Sequence, residues 1–145
     1  MKPRAIAVKL IPTAIEDHSL KLRIQDNSIR FRLTRSEVDT LGQDGSVSGV
    51  VHFPGGSSLE YTVETSSLTG QPRANFSHDR LVVQIPQAAA RQWAATEQVS
   101  ITGAESLDEG SLAILVEKDF ACLTPREGEN ETDMFPHPLK GRDTC

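Results

Sequence analysis

Cysteine and long apolar runs are both scarce in this chain, and each scarcity removes a class of protein. Of its 145 residues only two are cysteine, Cys122 and the terminal Cys145. Two cysteines without framework spacing exclude a disulfide-stapled scaffold and point to a reduced, cytoplasmic setting. No stretch of about 18 apolar residues occurs, so no membrane-spanning helix is expected. The segment from Met1 to Leu10 is basic and partly apolar, but its apolar centre is too short for an export signal. Also missing are a Gly-rich phosphate loop, a dinucleotide fingerprint, a Gly-x-Ser-x-Gly elbow, and paired Cys-x-x-Cys or His-x-x-x-His elements. No cofactor is therefore expected, and no complete catalytic signature is present.

What the chain does have is an order that repeats. At an offset of about 52 residues, Ile29-Arg-Phe-Arg-Leu33 aligns with Leu81-Val-Val-Gln-Ile85, Val38 with Ala90, Leu41 with Trp93 and Val47 with Val99. One inserted residue then brings Leu59-Glu-Tyr-Thr-Val63 onto Leu112-Ala-Ile-Leu-Val116. A unit that recurs in this way buries its apolar face against its own copy. Within the first unit, Leu20 to Ile24 and Ile29 to Leu33 alternate around the turn Asp26-Asn27, which reads as a hairpin. Thr34-Arg-Ser-Glu37 has capping-box spacing and predicts a short helix through Leu41, ended by Gly42. Val47 to Phe53 and Leu59 to Val63 flank Pro54-Gly-Gly-Ser-Ser58 as a second hairpin.

The second unit does the same with other residues. Ala74 to Phe76 and Leu81 to Ile85 flank the turn Ser77-His-Asp-Arg80, and Pro86 sits at the first position of a helix from Gln87 to Ala95. Ala89, Ala90, Trp93 and Ala94 fall on one face of that helix, which makes Trp93 a core anchor rather than a ligand platform. Val99 to Thr102 and Ser111 to Glu117 close the unit around a loop from Gly103 to Gly110. The sequence thus predicts one β-rich α+β domain over residues 20–145. Tandem strand-strand-helix-strand-strand repeats, at about 20–66 and 73–118, would form a pseudo-two-fold barrel or sandwich, followed by a tail over 119–145. Residues 1–19 form an N-terminal extension, open to reading as a disordered arm, an extra edge strand or an upstream start codon.

The string Ile85-Pro-Gln-Ala-Ala-Ala-Arg91 followed by Gln98-Val-Ser-Ile101 is similar to the half-unit of swapped-hairpin barrels, found in transition-state regulators and toxin-neutralising antitoxins. That resemblance, over residues 20–118, implies a barrel in which both halves lie in one chain. It also implies, as an alternative function, a transcription-regulator-like DNA binder. A second resemblance rests on longer strings: Lys21-Leu-Arg-Ile24 with Asn27-Ser-Ile-Arg30, His52-Phe-Pro-Gly-Gly56, Glu117-Lys-Asp-Phe-Ala-Cys-Leu-Thr-Pro-Arg126 and Phe135-Pro-His-Pro138. Together they resemble a small bacterial family catalogued as a domain of unknown function, spanning roughly residues 20–140 and bringing no activity with it.

Charge narrows the choice of partner. The net charge is −5, yet residues 1–35 hold eight Lys and Arg against three Asp and Glu, whereas residues 36–116 hold three against ten and residues 117–145 four against seven. The basic concentration in the folded region is Lys21, Arg23, Arg30, Arg32 and Arg35. Strand alternation places Arg30 and Arg32 on one face, and His52 is a candidate neighbour to them at the Pro-Gly-Gly turn. Arg23, Arg30, Arg32 and His52 are accordingly the candidate ligand or partner-binding residues, for an unidentified protein or a small anion. The acidic remainder argues against nucleic acid.

In the tail, Cys122, Asp133 and His137, with Glu117 and Asp119 nearby, are of the right types to ligate a divalent metal. Cys122 with His137 has the composition of a thiol and its base. The competing reading makes the tail a strap held over the core by Phe120, Leu123 and Phe135. The leading expectation is a non-enzymatic cytoplasmic binding module, with a metal- or thiol-dependent enzyme as its rival.

Overall fold

The computed structural model describes residues 20–120 and 133–136; the extension 1–19 and Cys122, Leu123, Arg126, His137 and Cys145 lie outside them. In chain order the elements are β1 (Lys21–Gln25), β2 (Ser28–Leu33), α1 (Arg35–Asp44), β3 (Ser46–His52), β4 (Ser58–Ser66), β5 (Arg73–Ser77), β6 (Arg80–Pro86), α2 (Gln87–Ala95), β7 (Ser100–Ser106) and β8 (Ser111–Lys118). The order strand, strand, helix, strand, strand therefore occurs twice.

Local chemistry sets the helix ends. Thr34 Oγ1 accepts from the Glu37 amide at 3.3 Å while Glu37 Oε1 accepts from the Thr34 amide at 2.9 Å, the reciprocal capping box expected. The helix does not stop at Gly42, which lies inside it. It ends at Gly45, whose backbone takes the left-handed conformation (φ 86°) and donates to the Leu41 carbonyl at 3.0 Å. An interior glycine weakens a helix by up to about 1 kcal/mol without ending it. A positive φ does end it, and Gly45 is the residue that adopts one. Pro86 is the residue before α2 (φ −61°, ψ 136°) rather than its first helical position.

The strands assemble into two four-stranded sheets, ordered β1-β2-β8-β7 and β3-β4-β6-β5. Each half of the chain gives one hairpin to each sheet. The halves meet in the parallel pairs at the centres, β2 with β8 and β4 with β6. The aligned sequences fall on equivalent rungs: Ile29 lies beside Ile114 and Phe31 beside Val116 in one sheet, Leu81 beside Tyr61 and Val83 beside Val63 in the other. One equivalence needs correction. The residue opposite Val116, in the place Val47 holds opposite Val63, is Ile101 and not Val99. Val99 is 40% exposed and precedes β7, because the link after α2 is longer than the single Gly45 after α1. Likewise β7 runs on through Gly103 to Ser106, so the loop predicted from Gly103 shrinks to Leu107–Gly110.

Phe31, Leu33, Val63, Val83, Ile85, Trp93, Ile114 and Val116 form the fully buried centre between the sheets. The two helices pack on each other and cover one end, burying Val38 and Leu41 from α1 and Ala90 and Trp93 from α2. The arrangement is an α+β sandwich; the barrel expected as the other possibility does not close, because side chains rather than backbone ladders join its corners. At one corner the Ala74 amide donates to Glu105 Oε1 at 2.9 Å, and Pro72 occupies the space a Cβ on Gly103 would need. At the other the Tyr61 hydroxyl donates to the Leu20 carbonyl at 3.3 Å, with the Tyr61 ring folded over Gly49.

The described part of the tail is strapped down. Phe120 pairs with Phe135 in a short parallel bridge, and the Phe135 amide donates to the Asp119 carbonyl at 2.9 Å. Asp133 reaches the start of α1, its carbonyl accepting from the Arg35 amide at 3.0 Å and its carboxylate from the Ser36 hydroxyl at 3.1 Å.

Candidate functional site

The hairpin β1–β2 places Lys21 opposite Arg32 and Arg23 opposite Arg30, so all four cations share the outer face of their sheet. The inner positions of β2 between them, Ile29, Phe31 and Leu33, are buried. The next strand sets Leu115 beside Arg30 and Glu117 beside Arg32. Glu117 Oε1 lies 3.5 Å from the Nε of both Arg30 and Arg32, so a single carboxylate serves two guanidinium groups. Lys21 Nζ pairs with the buried Asp119 at 2.9 Å. Arg23 has no carboxylate partner among the described residues, and it faces Arg30, a like charge. Partly exposed ion pairs of this kind contribute about 0–1 kcal/mol each. Among the described residues the face therefore stays cationic, with four positive groups against two carboxylates.

Arg23, Arg30 and Arg32 are thus brought together as expected, and two other residues are not. Arg35 leaves the cluster to begin α1, where its guanidinium stacks 5.7 Å above the Phe135 ring. His52 ends β3 in the opposite sheet, exposed and across from Ser58, so it shares no face with the arginines. A turn histidine in one hairpin is not a neighbour of a strand in the other, because the two hairpins of the first half go to different sheets.

The proposed metal or thiol centre is represented by Asp133 alone, since Cys122 and His137 lie outside the described residues. Glu117 and Asp119, considered with it, are engaged by arginine and lysine instead. Among the described residues no group of three His, Cys, Asp or Glu is placed to hold a metal ion.

One group escaped sequence reading. Lys118 continues the buried phase of Ile114 and Val116 and is 6% exposed. Its Nζ donates to the Thr96 carbonyl at 2.7 Å and sits 6.0 Å over the Trp93 ring and 5.3 Å over the Phe135 ring. Burial pushes its pKa below the usual lysine value, and Glu97 opposes part of that shift. The alternation Leu112, Ile114, Val116, Lys118 was the signal: a cation in an apolar phase.

A concavity of about 420 Å³ lies between the helices and is lined by Leu41, Gly42, Thr65, Ala90, Arg91 and Ala94. Its volume falls in the range of small-molecule sites.

Residues 20–139, which carry the basic face, both sheets and the strap, match the model of a family of unknown function, DUF7009. The chain belongs to this family. No curated protein and no solved structure matches it. Membership in DUF7009 agrees with the strings at both ends of the matched span, and it assigns no activity. No helix among the described residues of this DUF7009 chain is long and apolar enough to cross a membrane.

Proposed function

We propose that this protein is a non-enzymatic interaction module of the cytoplasm, and that the outer face of β1–β2 receives an acidic partner. The observation that carries the reading is Arg23: it stands directly opposite Arg30 and has no carboxylate partner among the described residues, while Glu117 is already shared between Arg30 and Arg32. Like charges directly opposed across strands are destabilising. An incoming carboxylate relieves that opposition. The net charge of −5 disfavours a long polyanion such as nucleic acid; if DNA does bind, its affinity must fall with salt by a slope of about −0.9 per neutralised phosphate in log K against log salt.

The test is fluorescence anisotropy with a labelled decaglutamate peptide and with duplex DNA. The peptide should bind, and Arg23→Glu should weaken it at least about tenfold, roughly 1.4 kcal/mol. An unchanged peptide affinity in Arg23→Glu would remove this face as the docking surface. Sequence-selective DNA binding at nanomolar Kd and physiological salt would favour the regulator-like alternative.

A further inference from the structure

Resting on that reading, we infer that the acidic partner docks as an extended strand added to the free edge of β1, with acidic residues alternating with apolar ones. β1 is an outer strand of its sheet. The two-residue turn at Asp26–Asn27 makes Gln25 and Ser28 the closing hydrogen-bonded pair of the hairpin. Alternation from that pair turns the backbone groups of Lys21, Arg23 and Gln25 toward β2 and those of Leu22 and Ile24 away from it. The Leu20 carbonyl, in the same outward phase, confirms the direction: it leaves the hairpin to accept from the Tyr61 hydroxyl. Beyond Leu20, no backbone hydrogen bond between described residues outside the ladders reaches Leu22 or Ile24. Such a row of N–H and C=O groups, without backbone partners among the described residues, is what an incoming strand uses for main-chain pairing.

The side chains then specify the strand. On the outer face, residues beside Lys21 and Arg23 meet cations, of which Arg23 lacks a carboxylate partner among the described residues. On the inner face, residues beside Leu22 and Ile24 meet apolar groups. Ile24 is 62% exposed, so apolar surface there is left uncovered by this chain's described residues. Charge on an edge strand is also a device against unwanted pairing. A second copy of β1 would be refused for that reason, because an antiparallel β1–β1 pair centred on Leu22 sets Lys21 of each chain against Arg23 of the other, and one centred on Arg23 sets the two Arg23 residues against each other. An acidic strand meets no such barrier. The Tyr61–Leu20 hydrogen bond closes the docking edge at one end and the Asp26–Asn27 turn at the other, which limits recognition to about five residues of the partner at a strand rise of about 3.4 Å per residue.

The probe is the capped peptide Glu-Val-Glu-Val-Glu-Val in three forms: unmodified, N-methylated on every Glu and N-methylated on every Val. An added strand turns one set of amides toward β1 and the other toward solvent. One methylated form should therefore lose binding at least about tenfold, roughly 1.4 kcal/mol, while the other keeps it. Ile24→Asp, at an exposed site, should weaken the unmodified peptide while the protein stays folded by circular dichroism. Equal binding of all three peptides would overturn the strand inference and leave the cationic docking face standing. Failure of both the unmodified peptide and decaglutamate to bind would overturn the docking face itself.

Discussion

Trp93 shows how one residue ties several elements together. It is fully buried, and its indole Nε1 donates to the Val99 carbonyl at 2.9 Å, which fixes the link between α2 and β7. Trp93→Ala should lower stability by roughly 3–5 kcal/mol in urea denaturation. Trp93→Phe, which gives up the hydrogen bond and part of the volume, should cost less. Lys118 makes a different test. Because burial lowers its folded pKa below the unfolded value of 10.5, the unfolded chain holds the proton more tightly between the two values. Stability therefore rises with pH through that window, and below it the cost of burying the charged amine is constant. The urea midpoint of the wild type should climb relative to that of Lys118→Met as pH rises toward 10.5; a parallel pair of curves would mean the amine is freely solvated. Trp93 was legible from the apolar face of its helix. Lys118 was not, since a lysine closing a strand reads as solvated until the strap and Trp93 are seen to enclose it. The roles of Glu117 and Asp119 were hidden for the same reason: their partners lie roughly ninety residues earlier in sequence.

At the level of elements, hairpins and caps follow from local rules, and the sequence carries them. Thr34 and Glu37 announce the start of α1, and the alternation of Ile29 to Leu33 announces β2 with its buried phase. The end of α1 falls at Gly45 and not at the expected Gly42, two glycines that stand within one turn of each other. Only the path of the chain into β3 decides which takes the left-handed conformation. Gly45→Ala should therefore cost about 1 kcal/mol, whereas Gly42→Ala should be neutral or stabilising by up to about 1 kcal/mol, measured by chemical denaturation. Gly42 has open space where a Cβ would stand, so nothing steric offsets the gain. Pairing between strands was harder to read than the strands themselves. Alternation tells which face of a strand is buried but not which neighbour it takes, so the parallel joins and the separation of His52 from Arg30 required three dimensions.

For the whole molecule, the exchange of hairpins means that neither half has a sheet of its own. Residues up to Thr69 supply β1–β2 to one sheet and β3–β4 to the other, and both parallel joins need strands from the second half. A fragment ending at Thr69 should aggregate or self-associate through its exposed β2 and β4 edges, and mixing it with residues 70–145 should restore cooperative unfolding. A soluble, cooperatively folding monomer of the fragment would contradict the topology. The same exchange gives the molecule its two unlike outer faces, one carrying Lys21, Arg23, Arg30 and Arg32 and the other ending in His52. The claim that the first of these is the docking surface is tested most directly by backbone amide chemical-shift mapping of the intact protein titrated with decaglutamate. The largest shifts should fall on Lys21 to Gln25 and Ser28 to Arg32 and fade as salt is raised. Shifts centred instead on Arg91 and Gly42 between the helices, or on Val50 to Phe53 beside His52, would contradict the account.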